Sequence, residues 1–301
     1  MRTRASAATV LAVALLIAVA SCSSATTSGP QSQASSSSPS SSASVSAPVS
    51  PVSTGTHWLI AASAVSKLEG IASSATVESY LDGPQTTIIT SSTIPSNLSG
   101  WQVAFAFDAK SLADIRSGVD GGLPSRISEI LYDPERWSFT PVTEQLNVGA
   151  STQQAASMAH AARRELIVAP ATNLAEVAAP GQSAATAFIQ TDDLAKVATS
   201  ANVVEIQAQG LERNSSRYAA YVGQAVSQVR SANPNAMIYA GLSTNPSGGP
   251  VTASELVSAV RLTSSEVSGY WLNIPSPGSA CPGCGQPEPL LALDLLEQLA
   301  Q

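Results

Sequence analysis

The feature that most constrains the fold is an alternation of short apolar segments with amphipathic helical segments after residue 85. The apolar segments of strand character lie at residues 86–90, 102–107, 127–132, 166–169, 203–206, 236–240 and 269–273. Helical patterns occur at residues 58–80, 110–119, 143–164, 217–230, 253–264 and 290–300, and a further helical region follows Pro180-Gly181. Such alternation predicts parallel strands that are joined by crossover helices.

These βα units predict an α/β fold of the (β/α)8 (TIM) barrel type. Seven predicted strands are one short of a closed eight-stranded barrel, and the connection between the first two is too short for a crossover helix. An irregular or incomplete barrel therefore also fits the pattern. The alternative is an open doubly wound sheet, but no glycine-rich phosphate loop follows the first strand. Roughly 245 residues outside the N-terminal region suit one large domain.

The N-terminal segment carries an export signal. Arg2 and Arg4 precede an uncharged apolar run from Ala5 to Ala20, which is typical of a signal peptide. The run is shorter than the ~20 residues that a membrane-spanning helix needs, and this disfavours a transmembrane anchor. The following residues, Val19-Ala20-Ser21-Cys22, resemble the lipobox of bacterial lipoproteins. That resemblance implies cleavage after residue 21 and lipidation of Cys22, which would anchor the protein to the extracytoplasmic face of the cell membrane.

Residues 23–55 contain no charged and no aromatic side chain, and consist almost wholly of Ser, Thr, Ala, Pro, Gly, Gln and Val. Such a segment cannot bury enough apolar surface to offset the entropy cost of ordering it. We therefore expect residues 22–55 to form a disordered tether and residues 56–301 to form the folded domain. A Ser/Thr/Pro-rich stalk that carries O-glycans is an alternative that the composition permits.

Charge and residue supply exclude several functions. Removal of Arg2 and Arg4 would take the side-chain charge from −7 to −9, which argues against a nucleic-acid partner. The two histidines, His57 and His160, are too few for a multi-histidine metal site. His160 lies in a predicted helix, and no nucleophile-elbow sequence is present to complete a Ser-His-Asp triad. We predict no metal, no other cofactor and a monomeric protein.

Polar side chains directly follow several predicted strands. The strand at residues 127–132 runs into Asp133 and Glu135, which share one side of an extended chain, although Glu129 shares that side as well. Residues 203–209 place Glu205, Gln207 and Gln209 on one face. Other strand ends add Asn173, Ser243, Asn245, Trp137, Trp271 and Asn273. Because ligands of parallel barrels bind at the C-terminal strand ends, these residues predict one ligand pocket.

The residue types in this predicted pocket favour a carbohydrate. Asn and Gln can both donate to and accept from hydroxyl groups, and Trp can cover the apolar face of a sugar ring. Glycoside hydrolysis generally requires two carboxyl groups. We predict Glu205 with Asp133 or Glu135 as the catalytic pair. The predicted substrate contacts are Asn173, Gln207, Gln209, Ser243, Asn245, Trp137, Trp271 and Asn273.

Structural roles for these residues are the alternative. A carboxylate at a strand end often caps the next helix or pairs with a neighbouring cation such as Arg136. Trp137 and Trp271 would then pack beneath loops. Cys281 and Cys284 form a separate pair in Cys281-Pro282-Gly283-Cys284, and in an exported protein a disulfide is expected. A redox role is the alternative, but this motif lies among Pro and Gly residues and does not begin a helix.

Three segments also carry a resemblance: Leu131–Trp137 (LYDPERW), Val203–Gln209 (VVEIQAQ) and Tyr270–Pro275 (YWLNIP). They are similar to segments of secreted bacterial proteins with a glycoside-hydrolase-like TIM barrel, and the resemblance covers roughly residues 85 to 285. It implies a barrel and, by analogy, a glycan ligand. Two functions stay open: a glycosidase that acts on an envelope polysaccharide or glycoconjugate, and a non-catalytic lipoprotein that binds a glycan or an envelope partner.

Overall fold

The computed structural model of the protein describes residues 55–177, 179–246, 249–278, 281 and 283–301. The predicted signal peptide, Cys22 and all but the last residue of the predicted tether lie outside these ranges. Within them, no helix is both long and apolar enough to cross a membrane.

The described residues form a closed barrel of eight parallel strands, arranged in the order of the chain. The strands are β1 His57–Ala61, β2 Thr86–Thr90, β3 Ala104–Ala109, β4 Ile127–Tyr132, β5 Glu165–Val168, β6 Val203–Ile206, β7 Met237–Ser243 and β8 Gly269–Asn273. Strand β1 closes the barrel because it pairs with both β2 and β8: Leu59 lies opposite Thr87 on one side and Trp271 on the other. The predicted (β/α)8 fold is confirmed, and the barrel is complete.

Helices surround the strands. They are α1 Ala62–Glu69, α2 Ser74–Leu81, α3 Leu112–Asp120, α4 Val142–Gln145, α5 Val148–Ala161, α6 Ala184–Gln190, α7 Asp193–Ala198, α8 Ser215–Ala232, α9 Ala253–Thr263 and α10 Pro289–Leu299. Side chains placed just before several of them explain where they begin: Ser111 accepts the Asp114 amide, and Thr252 accepts the Glu255 amide. These contacts satisfy amides that have no partner within the helix. The short β2–β3 connection contains only the 3-10 turn Ser96–Leu98.

Strand β1 corrects the prediction of a helix over residues 58–80. Its core residues Leu59 and Ile60 are both fully buried, since one faces the barrel interior and the other faces the helices. A strand that is buried on both faces reads as a continuous apolar run and lacks the alternation of a half-exposed strand. Helix α1 starts immediately at Ala62, so no turn residues mark the boundary.

Alternation along the strands separates two apolar layers. Every second residue faces the barrel interior, where the cluster comprises Leu59, Ile89, Ala106, Leu131, Ile167, Ala169, Val203 and Tyr239. The residues between them, such as Ile130 and Val204, pack in the larger layer beneath the helices. The same alternation turns Asp133, two residues after Leu131, and Glu205, two residues after Val203, toward the barrel axis.

Candidate functional site at the C-terminal end of the barrel

A pocket of about 370 Å³ lies at the C-terminal ends of the strands. Its wall comprises Glu135, Thr172, Asn173, Ala184, Gln207, Gln209, Ser243, Asn245, Pro246, Trp271, Asn273, Pro275, Cys281 and Cys284. Eight of these residues belong to the set predicted from the sequence: Glu135, Asn173, Gln207, Gln209, Ser243, Asn245, Trp271 and Asn273. The barrel brings them together because successive parallel strands end at the same edge.

Asp133 lies beneath this wall and is only 4% exposed. The Gln207 side-chain amide donates to Asp133 Oδ1 at 3.3 Å and also to the carbonyl oxygen of Ala169 at 3.3 Å. Lys110 Nζ lies 3.5 Å from Asp133 Oδ2. Burial raises the pKa of Asp133 to about 6, and the nearby Lys110 ammonium opposes that rise. Asp133 is therefore mainly ionised at neutral pH.

Lys110 was not predicted as a site residue, but it is the cation next to Asp133. Its Nζ lies 2.6 Å from Asp108 Oδ1 and 5.5 Å from the centroid of the Trp137 ring. Burial lowers the pKa of Lys110, but the charges of Asp133 and Asp108 outweigh burial and raise it above its ordinary value. Lys110 is thus a positive charge at neutral pH and a poor amine nucleophile.

Glu135 is the carboxyl group that lines the pocket. Burial and the charge of Asp133 raise its pKa to about 8, although Lys110 opposes this shift. Its backbone N–H donates to Thr140 Oγ1 at 3.2 Å. The neighbouring Arg136 pairs with Glu176 Oε2 at 2.7 Å, and not with Glu135. Glu135 is therefore protonated at neutral pH and faces the space that a ligand would fill.

Glu205 lies below the pocket and has no exposed surface. Among the described residues, neither of its carboxyl oxygens has a hydrogen-bond partner. Burial and then the charges of Asp133 and Glu135 raise its pKa well above the ordinary value, while the nearby Gln209 amide opposes the shift. The catalytic role predicted for Glu205 stays a prediction. At this position Glu205 is better placed to affect the protonation of Asp133 and Glu135 than to contact a ligand directly.

Trp137 is predicted to contact substrate, but it lies outside the pocket wall. Its indole N–H donates to Thr140 Oγ1 at 2.8 Å, and its ring packs edge-on against Phe139 with a centroid distance of 5.2 Å. The Thr140 hydroxyl in turn donates to the carbonyl oxygen of Lys110 at 2.7 Å. Trp137 therefore holds the loop after β4 against Lys110. Trp271, in contrast, contributes to the pocket wall.

Polar side chains fasten the loops that form the pocket wall. Asn173 Oδ1 accepts the Arg136 backbone N–H at 3.0 Å, and Asn245 Nδ2 donates to the carbonyl oxygen of Gln286 at 2.9 Å. Gln209 lies directly against Gly241, where an added Cβ would be only 2.3 Å from Gln209 Nε2. Glycine at position 241 therefore leaves the space that the Gln209 amide occupies.

Glu212 is a further buried acid, and the sequence analysis did not single it out. It is fully buried and accepts backbone N–H groups from Gly210 and from Ser243, the latter at 2.9 Å. Burial raises the pKa of Glu212 to about 7, although these N–H donors oppose the shift. Glu212 joins the loop after β6 to the end of β7, next to the pocket. Glu212 and Ser243 are 31 residues apart, and the sequence around Glu212 contains no pattern that predicts this contact.

The cysteines and histidines occupy separate places. Cys281 and Cys284 form a disulfide with a Cα–Cα distance of 5.4 Å, and both line the pocket. His57 stacks on Tyr239 at 6.1 Å between ring centroids, and His160 Nε2 pairs with Asn202 Oδ1 at 2.9 Å. Across the described ranges, no three His, Cys, Asp or Glu side chains are arranged to hold a metal ion.

Comparison with known proteins finds no matching family model and no matching curated protein. Similar solved structures include a chitinase from Chromobacterium violaceum, with 13% identity over 82% of this chain and 100% of the other, and a TM-score of 0.46. A putative α-L-fucosidase from Bacteroides thetaiotaomicron has 8% identity over 71% of this chain and 80% of the other, with a TM-score of 0.47.

An endo-β-1,3-glucanase from Sorangium cellulosum has 11% identity over 80% of this chain and 96% of the other, with a TM-score of 0.46. These neighbours are glycoside-hydrolase-like barrel proteins. At such identities and TM-scores, the similarities carry no argument about the activity or the substrate of this chain.

Proposed function

We propose that the protein is a glycoside hydrolase of the cell envelope that uses Glu135 as its proton donor. The observation that carries this proposal is the pairing of a protonated carboxyl group in the pocket wall with an ionised one beneath it. Burial and the charge of Asp133 keep Glu135 protonated, whereas Lys110 favours the charged form of Asp133. Two carboxyl groups whose environments assign them different protonation states are the usual basis of acid–base catalysis.

In this mechanism Glu135 transfers its proton to the glycosidic oxygen as the bond from that oxygen to the anomeric carbon breaks. The ionised Asp133 stabilises the positive charge that develops on the sugar ring. Water then adds to the anomeric carbon, and a carboxylate takes up the proton that the water releases. The wall amides, Gln207 and Asn273 among them, hold sugar hydroxyls, and Trp271 covers an apolar ring face.

Glu205 requires a separate test because it lies beneath the wall, where burial raises its pKa well above the ordinary value. If Glu205 supplies the second carboxylate by ionising during the reaction, Glu205→Gln abolishes hydrolysis while the fold is retained. Full activity of Glu205→Gln would remove Glu205 from the catalytic set and leave Glu135 with Asp133. Circular dichroism and thermal unfolding of the variant establish that its fold is intact.

The proposal is tested by reducing-end release from a panel of envelope polysaccharides, measured with the full-length protein and its variants. Loss of a general acid typically costs about 10²–10⁴-fold in rate, and this is the loss expected for Glu135→Gln. Asp133→Asn should also be strongly impaired. Glu297→Gln removes an exposed carboxylate from α10 and is the matched control. Full activity in Glu135→Gln would contradict the proposal.

A non-catalytic binding lipoprotein is the second candidate, and one observation favours it. Of the three predicted catalytic carboxyl groups, only Glu135 belongs to the pocket wall. This candidate predicts saturable binding of a glycan or envelope partner without release of reducing ends. Binding with unchanged ligand after long incubation would support it, and turnover that depends on Glu135 would exclude it.

The membrane anchor is a separate part of the proposal. It depends on the lipobox-like residues Val19-Ala20-Ser21-Cys22. We expect the protein to partition with the membrane fraction of the cells that make it. Cys22→Ala should release the protein from that fraction, because the lipidated side chain is removed. Continued membrane association of this variant would contradict anchoring through Cys22.

A further inference from the structure

The charge of the pocket wall bears on which saccharides the pocket accepts. Among the described wall residues, Glu135 is the one ionisable side chain, because Cys281 and Cys284 are joined in a disulfide. None of these residues is Lys, Arg or His. The internal positions outside the described ranges are Ala178, Ser247, Gly248, Ser279, Ala280 and Pro282, and none of these residue types carries a charge.

The cations near the pocket are placed away from its wall. Lys110 lies behind Asp133 and contacts both Asp133 and Asp108. Arg136 is exposed and pairs with Glu176 at 2.7 Å. Arg213 lies beside Gly249, where its guanidinium would be 2.9 Å from an added Cβ, and it is not among the described residues of the pocket wall. A ligand in the pocket therefore meets no described basic side chain that could pair with an anionic group.

Glu205, which lies beneath the pocket, has carboxyl oxygens that can accept further hydrogen bonds. Glu205 is fully buried, and neither carboxyl oxygen has a hydrogen-bond partner among the described residues. It extends from the inward face of β6 between Val203 in the barrel core and Gln207 in the pocket wall. The Gln209 amide is near enough to favour the charged form of Glu205, and the two carboxyl oxygens retain the capacity to accept further hydrogen bonds. The charge of Asp133 adds negative potential there.

We propose that the pocket selects saccharides that carry a basic amino group beside Glu135 and rejects saccharides that carry a carboxylate, sulfate or phosphate there. This inference rests on the proposed carbohydrate-binding function. An ammonium group supplies donors and a positive charge to a site that contains acceptors and carboxyl groups. An anionic group could accept hydrogen bonds from the wall amides but would find no positive charge among the described wall residues, and a charge without a counter-charge in a partly desolvated pocket is costly.

The test is an array of matched oligosaccharides applied to the full-length protein. Each set shares linkage and ring stereochemistry and contains an amino sugar, its neutral parent and its uronic acid: glucosamine with glucose and glucuronic acid, and galactosamine with galactose and galacturonic acid. Affinities are measured at low and high salt. At low salt we expect each step from amine to hydroxyl to carboxylate to weaken binding roughly tenfold, with smaller steps at high salt.

An ammonium group beside Glu135 favours the charged form of that carboxyl group, which Gln cannot adopt. Glu135→Gln should therefore reduce the advantage of the amino sugar, and the matched control Glu297→Gln should leave it unchanged. The proposed selectivity would be overturned by a uronic acid that binds as tightly as the neutral parent sugar, or by an amino sugar that binds no more tightly than that parent. Either result would leave the proposed carbohydrate-binding function in place. Absence of binding to every member of the array would overturn the proposed function together with the inference.

Discussion

Lys110 Nζ lies 3.5 Å from Asp133 Oδ2 at the C-terminal end of the barrel. This contact opposes the effect of burial on Asp133 and favours its charged form. The negative charge that results helps to keep Glu135 protonated in the pocket wall. Lys110 therefore helps to keep Asp133 ionised while Glu135, only two residues later in the chain, stays protonated.

Replacement of Lys110 tests this relationship. In Lys110→Met the pKa of Asp133 should rise above about 6, because burial then acts without the opposing positive charge. Carbon-13 NMR titration of the Asp133 carboxyl group measures the shift. Lys110→Arg retains the charge and should leave the titration midpoint nearer to that of the wild type. An unchanged midpoint in Lys110→Met would show that the ammonium does not control Asp133.

The raised pKa values predict an unusual dependence of stability on pH. Folding raises the pKa of Glu135 from its ordinary 4.5 to about 8 and that of Asp133 from 3.8 to about 6. Between these values the folded state binds more protons than the unfolded state, so stability falls as pH rises. Each unit of difference corresponds to about 1.4 kcal/mol, which gives an effect of a few kcal/mol for Glu135.

We therefore expect the melting temperature to be higher at pH 5 than at pH 8. Glu135→Gln should reduce the fall in melting temperature at the higher pH values, because the amide has no charged form that the folded state disfavours. The exposed variant Glu297→Gln should follow the wild-type curve. A wild-type melting temperature that rises steadily from pH 5 to pH 8 would contradict the assigned protonation states.

Gly241→Ala tests the close packing between neighbouring strand ends. The added Cβ would lie 2.3 Å from Gln209 Nε2, so the Gln209 side chain must move out of the pocket wall. Because the Cβ meets only the far end of the Gln209 side chain, we expect a folding cost at the low end of the usual range, about 1 kcal/mol, and a clear loss of ligand affinity. Gly278→Ala is the control, because no atom lies within 4 Å of its added Cβ. Equal ligand affinities in the two variants would contradict this role for Gln209.

The disulfide should matter more for the pocket than for the fold. Cys281 and Cys284 are three residues apart, and a loop of this size accounts for only about 2 kcal/mol in the chain-entropy model. Because both cysteines line the pocket, reduction should weaken ligand binding, while the melting temperature falls by only about 4–8 °C. The double variant Cys281→Ser, Cys284→Ser should bind weakly with or without reductant. Wild-type affinity in the double variant would contradict this prediction.

Much of the site follows from strand alternation, because alternate side chains at a strand end must face the barrel axis. That argument places Glu135, Gln207 and Gln209 in one pocket. Alternation does not determine depth along the axis, which depends on the stagger between strands. The complete burial of Glu205 was therefore not predictable from its spacing.

Other errors have local causes. Strand β1 was missed because burial on both faces hides the alternation of a strand. Lys110 was missed because β3 extends to Ala109, two residues beyond the predicted strand end, so the polar residues at that end were assigned to the start of a helix. Trp137 packs on Lys110, a contact between two strand-end loops for which sequence spacing contains no signal.

The most direct test of the central claim is the titration of Glu135 itself, followed by carbon-13 NMR of its side-chain carboxyl group with Glu135→Gln used to assign the signal. The account predicts a midpoint at about 8, so that Glu135 is protonated at neutral pH and available as a proton donor. A midpoint near the ordinary value of 4.5 would mean that Glu135 is already ionised, and it would contradict the proposed acid role.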